Sequence, residues 1–308
     1  MIIKKCNNIN DINLDEKDLK VITWGKYDAM HLGHQTIMNK MMSLRGDKRA
    51  GAVIFAPGPE SYFDFPDKTR VNTLNESLEI IENIGIDYAF VVPFDENTAN
   101  IGAGDYLDKV INGTGADTVA VGKDVSFGYN REGDDKYLIK FGKDKGLDIH
   151  IVSKIEIDGQ IVSSNAIKNY IKDGDMIKSA KMLGRKYSIE GVVQRGKGIG
   201  HKELYATINI AFDDNKCVPK FGVYYSRALI KGKEYTAITN VGVAPTFGAV
   251  KKPVSESIIL EFNEEIYGEK VLLYIDEFRR PEKKFGSAAE LKQVIDEDLE
   301  AIVKYYNK

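Results

Sequence analysis

Apolar runs alternate with amphipathic ones through the first half of the chain. "VITW" (21–24) is followed by "HQTIMNKMMSL", and that by the apolar "AGAVIF". "NESLEIIENIG" has helical periodicity and closes on Gly85, the residue type that ends helices in the left-handed conformation. "YAFVVPF" then predicts a buried strand, and "DYLDKVING" with "TVAVG" repeats the unit, as does "DDKYLIKFGKDKG" with "DIHIVSKI". Apolar strands separated by amphipathic helices predict βαβ units, hence a parallel sheet covered by helices on both faces. The texture changes after "SSNAIKNYIKDGDMIKSAKMLGRKY". "YSIEGVVQRG", "LYATINIAF", "GVYYSRALIKG", "EYTAITNVG", "SESIILEF" and "EKVLLYIDEF" are strand-like runs separated only by turn residues. Without crossover helices they predict an antiparallel sheet or small barrel. "SAAELKQVIDEDLEAIVKYY" closes the chain as an amphipathic helix. Ser287 and Glu290 have capping-box spacing, and Leu291, Ile295, Leu299 and Ile302 form its apolar stripe. The expected organisation is an α/β domain over 1–185 and a β domain over 186–308, with the transition near residues 183 to 187.

Composition narrows the class. The 308 residues are 43% hydrophobic and 29% charged, as expected for two globular domains. No apolar run is long enough for a membrane span, and "MIIKKCNNINDIN" has no signal-peptide core, so no membrane partner is expected. The net charge of −3 argues against general nucleic-acid binding while leaving room for a local basic site. Cys6 and Cys217 are far apart and lack metal-ligand neighbours, which predicts no disulfide framework or cysteine zinc site and fits a reducing cytoplasm.

The chemistry gathers at predicted strand ends, where ligands of such sheets bind. In "GKYDAMHLGHQ", His31 and His34 stand three apart at a strand-to-helix junction with Gly25 and Asp28. Two imidazoles beside the exposed N–H groups of a helix start suit a phosphate; they also suit plain capping and local packing. "FAPGPESYF" is a Pro- and Gly-broken loop. "VGKDVSFGYNREGD" supplies Asp124, Phe127, Gly128 and Arg131. "VSSNAIK" brings Ser163, Ser164 and Lys168 to another helix start, which is equally an ordinary N-cap.

"GKYDAMHLGHQ" resembles the HxGH-type signature of nucleotidyltransferases. With "VGKDVSFGYNREGD", "VSSNAIKNYIKDGDMIKSAKMLGRKY", "FGVYY", "TNVGVAPTFG", "SESIILEFNEEIYGEKV" and "FRRPEKKF", in matching order, the chain resembles the bacterial bifunctional riboflavin kinase/FAD synthetases over almost its whole length. That resemblance implies a Rossmann-like nucleotidyltransferase domain, then a riboflavin-kinase-type antiparallel β-barrel with a C-terminal helix. It implies phosphorylation of riboflavin to FMN and adenylylation of FMN to FAD, with ATP as substrate and Mg2+ as cofactor. By the same resemblance Gly25, Asp28, His31, His34, Asp124, Ser163, Ser164 and Lys168 bind ATP in the adenylyltransferase. Phe127, Gly128, Arg131 and Arg280 bind flavin, Thr207 and Asn209 hold MgATP in the kinase, and Glu256 activates the ribityl hydroxyl. A monomer or weak homo-oligomer is expected.

The chain departs from the family pattern at several places. "YATIN" has Ala206 where a "PTAN"-type motif has proline, and Leu204-Tyr205 replaces Gly-Phe. Lys26-Tyr27-Asp28-Ala29 replaces Thr-Phe-Asp-Gly, which adds a charge at Lys26 and is expected to restrict the turn at Ala29. Lys168 stands for arginine and loses its planar fork. Three readings stay open: a bifunctional enzyme, an FAD synthetase with a weak or lost kinase, and a non-catalytic flavin- or nucleotide-binding paralogue. Glu256 also admits a plainer reading, as a polar residue on the solvent face of a strand.

Overall fold

The computed structural model of the chain describes residues 1–194, 207–244 and 252–307. The chain divides into two units, Met1–Ser164 and Asn165–Lys308. The first is built on six parallel strands: β1 (Ile2–Lys5), β2 (Leu19–Gly25), β3 (Arg49–Phe55), β4 (Tyr88–Val92), β5 (Thr118–Gly122) and β6 (Asp148–Val152). Their order across the sheet is β1-β4-β3-β2-β5-β6. Between them run α1 (Leu32–Leu44), α2 (Pro59–Tyr62), α3 (Leu74–Ile84), α4 (Glu96–Asn100), α5 (Ala103–Thr114) and α6 (Asp135–Lys145).

Alternation along the strands sorts the core onto two faces. Ile22, Val53, Phe90 and Val119 pack with Leu107 and Val110 of α5 and Leu138 of α6. Val21, Ala52, Ile54 and Ala89 pack with Met38 and Met41 of α1 and Leu78 and Ile81 of α3. Both faces are therefore dry, which explains why these strands read as continuous apolar runs. Thr73 and Glu76 form a reciprocal capping box at the start of α3, and Gly85 ends it at φ 100°. The order reverses between β2 and β5, and this switch point places the carboxyl ends of those two strands at the ligand crevice of a Rossmann-like sheet. A hairpin, β7 (Glu156–Ile157) and β8 (Gln160–Ile161), turns on Asp158-Gly159, both at positive φ.

The second unit opens with α7 (Ser164–Asp173), whose first residue ends the first unit, and α8 (Met176–Leu183). Both were expected on the first domain's side of residue 185. They are packed with the β structure that follows: the Ile171 carbonyl accepts from Lys220 N at 3.2 Å, and a side chain at Gly174 would meet Phe278. Strands β9 (Tyr187–Val192), β10 (Thr207–Ala211), β11 (Gly222–Ile230), β12 (Lys233–Ala244), β13 (Lys252–Ile259) and β14 (Lys270–Arg280) are antiparallel, in the order β10-β13-β12-β11-β14-β9. The two outermost strands meet again just past β9, where Gln194 N donates to Asn209 O at 2.8 Å, so the sheet closes into a barrel. Helix α9 (Ala288–Tyr306) lies on its outer face, burying Ile302 against Val223, Tyr225 and Ile238. Ser287 caps α9 through Glu290 N, while the Glu290 carboxylate accepts from Gly286 N one residue earlier than a reciprocal box requires.

Strand β14 is bulged twice against β11, at Asp276 and at Arg279. The first bulge buries Asp276, which accepts from Arg227 Nε and a second guanidinium nitrogen (2.9 and 3.0 Å) and from Tyr306 of α9 (2.5 Å), with Lys186 at 3.2 Å. Burial alone would raise this carboxyl; the Arg227 and Tyr306 hydrogen bonds override it and hold the group below the ordinary aspartate range. Such a carboxylate adds stability above its unfolded pKa and loses it as pH falls through the folded value. Asp276→Asn is therefore expected to cost about 3 kcal/mol near neutral pH, the order for breaking one side of a buried pair. The loss should shrink on acidification below about pH 4, as read by urea unfolding across pH. A variant as stable as wild type at pH 7 would contradict this anchoring role.

Candidate active sites

Between Gly25, which ends β2, and Leu32, which opens α1, the chain reverses from strand to helix. Tyr27 (φ 46°) and Met30 (φ 44°) take the left-handed conformation that ordinary side chains resist, so the turn stores strain at both. It is held from inside. The buried Tyr27 hydroxyl and Thr23 Oγ1 are 2.7 Å apart, and Ser77 Oγ donates to the Tyr27 carbonyl at 3.0 Å. Burial pushes the Tyr27 phenol up, against a smaller opposing effect of the Thr23 hydrogen bond. Asp28, also buried, accepts from Val71 N through Oδ1 at 2.7 Å, and its carbonyl accepts from Asn72 N at 3.2 Å. Ala29 is not at positive φ, so the restriction expected from it does not arise: the strained positions are its neighbours Tyr27 and Met30.

His31 is the N-cap of α1. Its Nδ1 accepts from His34 N at 3.3 Å, and the two imidazoles stack with centroids 3.7 Å apart. An added Cβ at Gly33 would lie 3.1 Å from the His31 ring, so glycine makes room for the stack. A neutral His31 that accepts at Nδ1 carries its proton on Nε2, as a donor. Capping and anion binding are thus not alternatives here; the cap selects the tautomer that can donate.

At the other side of the switch point, Asp124 stands two residues beyond β5, exposed, with Oδ2 3.3 Å from Lys154 Nζ. The loop behind it folds on Phe127, whose N and O both pair with Gly133. Phe127 is buried, edge-on to Trp24 at 5.5 Å and 5.7 Å from Tyr106. Gly128, at φ 76°, leaves 2.7 Å between a built Cβ and the Ala103 backbone, so only glycine fits this approach to α5. Arg131 is exposed and donates to Ser126 Oγ at 3.1 Å. Trp24 Nε1 and the Tyr106 hydroxyl are buried with no hydrogen-bond partner among the described residues. Periodicity marks both only as core, so sequence reasoning missed them.

It also missed Glu60. Lys26, expected to add positive charge for phosphate, is engaged by this carboxylate at 2.9 Å. Burial of Glu60 opposes ionisation, but Lys26 and Arg70 outweigh it and hold the group below the usual glutamate range. Gly58 leaves room for the pair: a Cβ there would sit 2.5 Å from Glu60 Oε2 and push the carboxylate aside. Ser163 and Ser164 stand at the start of α7, and Lys168 is buried one turn on, its carbonyl 3.9 Å from Cys217 Sγ.

The second unit carries a cavity of about 350 Å³ between the outer face of the barrel and α9. Thr207, Asn240, Glu256 and Arg280 line it, with Leu291 and Ile295 of α9 on the far side. Register aligns one row across five strands: Asn209, Glu256, Asn240, Val223 and Arg280. Glu256 is on the exposed face, as its plainer reading has it, but that face is a cavity wall. Thr207 Oγ1 donates to Glu256 Oε1 at 3.0 Å. Residues 204–206, where the sequence departs most from the "PTAN" pattern, lie outside the described residues.

Comparison with known proteins gives a family model for each part of the chain. Residues 14–166 match the family model for FAD synthetase, and residues 183–306 that for riboflavin kinase. The chain is 27% identical to the bifunctional riboflavin kinase/FMN adenylyltransferase of Bacillus subtilis (strain 168), over 95% of this chain and 94% of that protein. It is also 27% identical to the Pseudomonas fluorescens protein of the same name, over 91% of each. A solved structure described as a macrolide-efflux protein from Streptococcus pneumoniae superposes with a TM-score of 0.88, covering 98% of this chain and 99% of that one at 24% identity. That likeness is one of fold.

Because the left-handed positions are Tyr27 and Met30, restoring glycine at residue 29 should gain nothing. Ala29→Gly is expected to destabilise the protein by about 0.5–1 kcal/mol through backbone entropy alone. A rise in thermal stability would show instead that Ala29 strains the turn.

Proposed function

The chain belongs to the bifunctional riboflavin kinase/FMN adenylyltransferase family, and from that membership we propose that it converts riboflavin to FAD in two ATP-dependent transfers. In the first, the ribityl 5′-hydroxyl of riboflavin attacks the γ-phosphorus of ATP, giving FMN and ADP. In the second, an FMN phosphate oxygen attacks the α-phosphorus of another ATP, and the bond from that phosphorus to the pyrophosphate oxygen breaks. The observation that carries the reading is the stacked His31–His34 pair at the N-terminus of α1, beside a sheet switch point, in a chain whose other unit has a separate glutamate-lined cavity.

Little covalent chemistry falls to the protein in either step; placement and charge stabilisation carry the rate. In the adenylyl transfer, His31 Nε2–H, His34 and the first N–H groups of α1 meet the charge that grows on the α-phosphate and the leaving pyrophosphate. Gly25 and Asp28 set the turn that aims them. Asp124 arranges the nucleotide, and Phe127, by its packing, places Gly128 and Arg131 for the flavin. The buried donors Trp24 Nε1 and Tyr106 OH add polar groups that a flavin ring acceptor would satisfy, relieving a cost of about 1–3 kcal/mol each. Ser163, Ser164 and Lys168 are assigned to the β- and γ-phosphates on their resemblance to the family segment.

In the kinase, Glu256 accepts the proton of the attacking hydroxyl or orients it, and Thr207, its present hydrogen-bond donor, turns to the nucleotide. The Thr207 hydroxyl and the Asn209 carboxamide are neutral oxygen donors on one face of β10, which fits a magnesium ion held mainly by ATP phosphates. When bound there, the ion offsets phosphate charge. A reducing cytoplasm suits the free thiols of Cys6 and Cys217, and among the described residues no helix is long and apolar enough to cross a membrane. One sequence observation favours a second reading, an FAD synthetase with a weak kinase: the Leu204-Tyr205-Ala206 departure in the nucleotide loop.

Two variants separate the sites. His31→Ala is expected to cut FAD formation from FMN by ~100- to 1000-fold, the cost of one preorganised donor to developing charge, and to leave FMN formation from riboflavin nearly intact. Chromatography of both products reads the outcome; equal loss of both, with unchanged circular dichroism, would sink the two-site assignment. Glu256→Gln should do the reverse, lowering the turnover of FMN formation more than the KM for ATP, because it touches the attacking hydroxyl and not the nucleotide. If Glu256→Gln forms FMN at the wild-type rate, Glu256 is a surface residue after all.

A further inference from the structure

We propose that Asp298 of α9 is a positioning residue for riboflavin, acting through Arg280. The proposal deepens the kinase reading of the second unit and rests on it. It begins with the second bulge in β14. Residues two apart on a regular strand share a face, yet Phe278 pairs with Tyr224 and Arg280 with Val223, and these partners point to opposite faces of β11. The extra residue, Arg279, is what turns Arg280 out of the Phe278 side and onto the cavity wall beside Val223.

A guanidinium turned out in this way still has to be aimed. Asp298 does this. One oxygen, Oδ2, accepts from Arg280 Nε at 2.9 Å and from a terminal nitrogen at 2.7 Å, and the other, Oδ1, lies 3.5 Å from Arg279 Nε. The carboxylate is 4% exposed, so it is fixed by packing as well as by charge. The remaining terminal nitrogen of Arg280 donates to the Pro281 carbonyl at 3.2 Å. Of the five N–H donors of a guanidinium, these bonds use three. Among the described residues two are left without a partner, held at a set angle on the wall that also carries Glu256 and Thr207. An uncharged ligand rich in carbonyl and hydroxyl acceptors, such as riboflavin, is matched by two fixed donors better than by a mobile charge. Asp298 borders the same cavity; among the described residues its carboxylate is engaged by Arg280 and Arg279 and not by Glu256 or Thr207, so its effect is expected on the ligand that Arg280 meets rather than on the nucleotide.

The test is equilibrium binding of riboflavin, followed by quenching of its own fluorescence, together with FMN formation at varied riboflavin and varied ATP. Asp298→Asn is expected to weaken riboflavin binding and raise its KM by about tenfold or more, the scale of a lost charge-assisted hydrogen bond, while the KM for ATP stays within about twofold. Asp298→Glu, which restores the charge, should recover part of the riboflavin affinity. If Asp298→Asn fails to fold, Arg280→Lys, which keeps the ion pair and loses the fork, should show the same riboflavin-selective loss. Unchanged riboflavin affinity in these variants, or equal losses for riboflavin and ATP, would overturn the positioning role. The kinase reading fails separately: wild-type protein that binds riboflavin and forms no FMN would contradict that reading while the binding arm still decides the role of Asp298.

Discussion

The turn from β2 into α1 is the constraint on which the first unit depends. A strand buried on both faces has to become a helix within six residues, and the helix has to start where the sheet order reverses. Two non-glycine residues take left-handed backbone to achieve this, at a cost of about 1–3 kcal/mol each. The compensation is internal: a buried Asp28 tied to Val71, a buried Tyr27 tied to Thr23, and His31 serving as the cap. The same bonds that make the turn tolerable put an imidazole donor and the first helix amides at one place. The fold of the junction and its chemistry are therefore one problem with one solution.

The second unit answers a different constraint. The curled sheet meets itself at Gln194 and Asn209, and its outer face at Val223, Tyr225 and Ile238 is apolar and has to be covered. Helix α9 covers it at Ile302 and stands off from it near Leu291 and Ile295, which leaves the cavity. Both charged anchors of α9 come from bulges in β14: Asp276 receives Tyr306, and Arg280 receives Asp298. A regular β14 would present neither pair. The bulges are thus how the barrel fastens its covering helix and, in the same stroke, shapes the cavity wall.

Much of this was legible in the sequence, because its local signals agree with its fold. Gly85 after a helical period, and the strand-like runs after residue 187, each state their own structure. The His31–His34 spacing predicts a helix start, and His31 is the N-cap of α1. Other features depend on partners distant in the chain. Nothing near Lys26 says that Glu60 will neutralise it, and nothing near Gly58 says that its missing side chain makes room for that carboxylate. Bulges at Asp276 and Arg279 leave no periodic trace, since one extra residue in a strand reads as a short irregularity. Helices α7 and α8 look like the end of the α/β domain by composition, yet their packing partners, Lys220 and Phe278, come later in the chain.

One chain makes both a phosphoryl and an adenylyl transfer, at different phosphorus atoms of ATP. Positional labelling tests this most directly. Wild-type protein is given riboflavin with ATP labelled at either the γ- or the α-phosphorus, and FMN and FAD are separated and counted. The γ-label is expected in both FMN and FAD, and the α-label in FAD alone. FAD that forms from added FMN with α-label, while riboflavin acquires no γ-label, would contradict the claim for the second unit; γ-labelled FMN that never gains α-label would contradict it for the first.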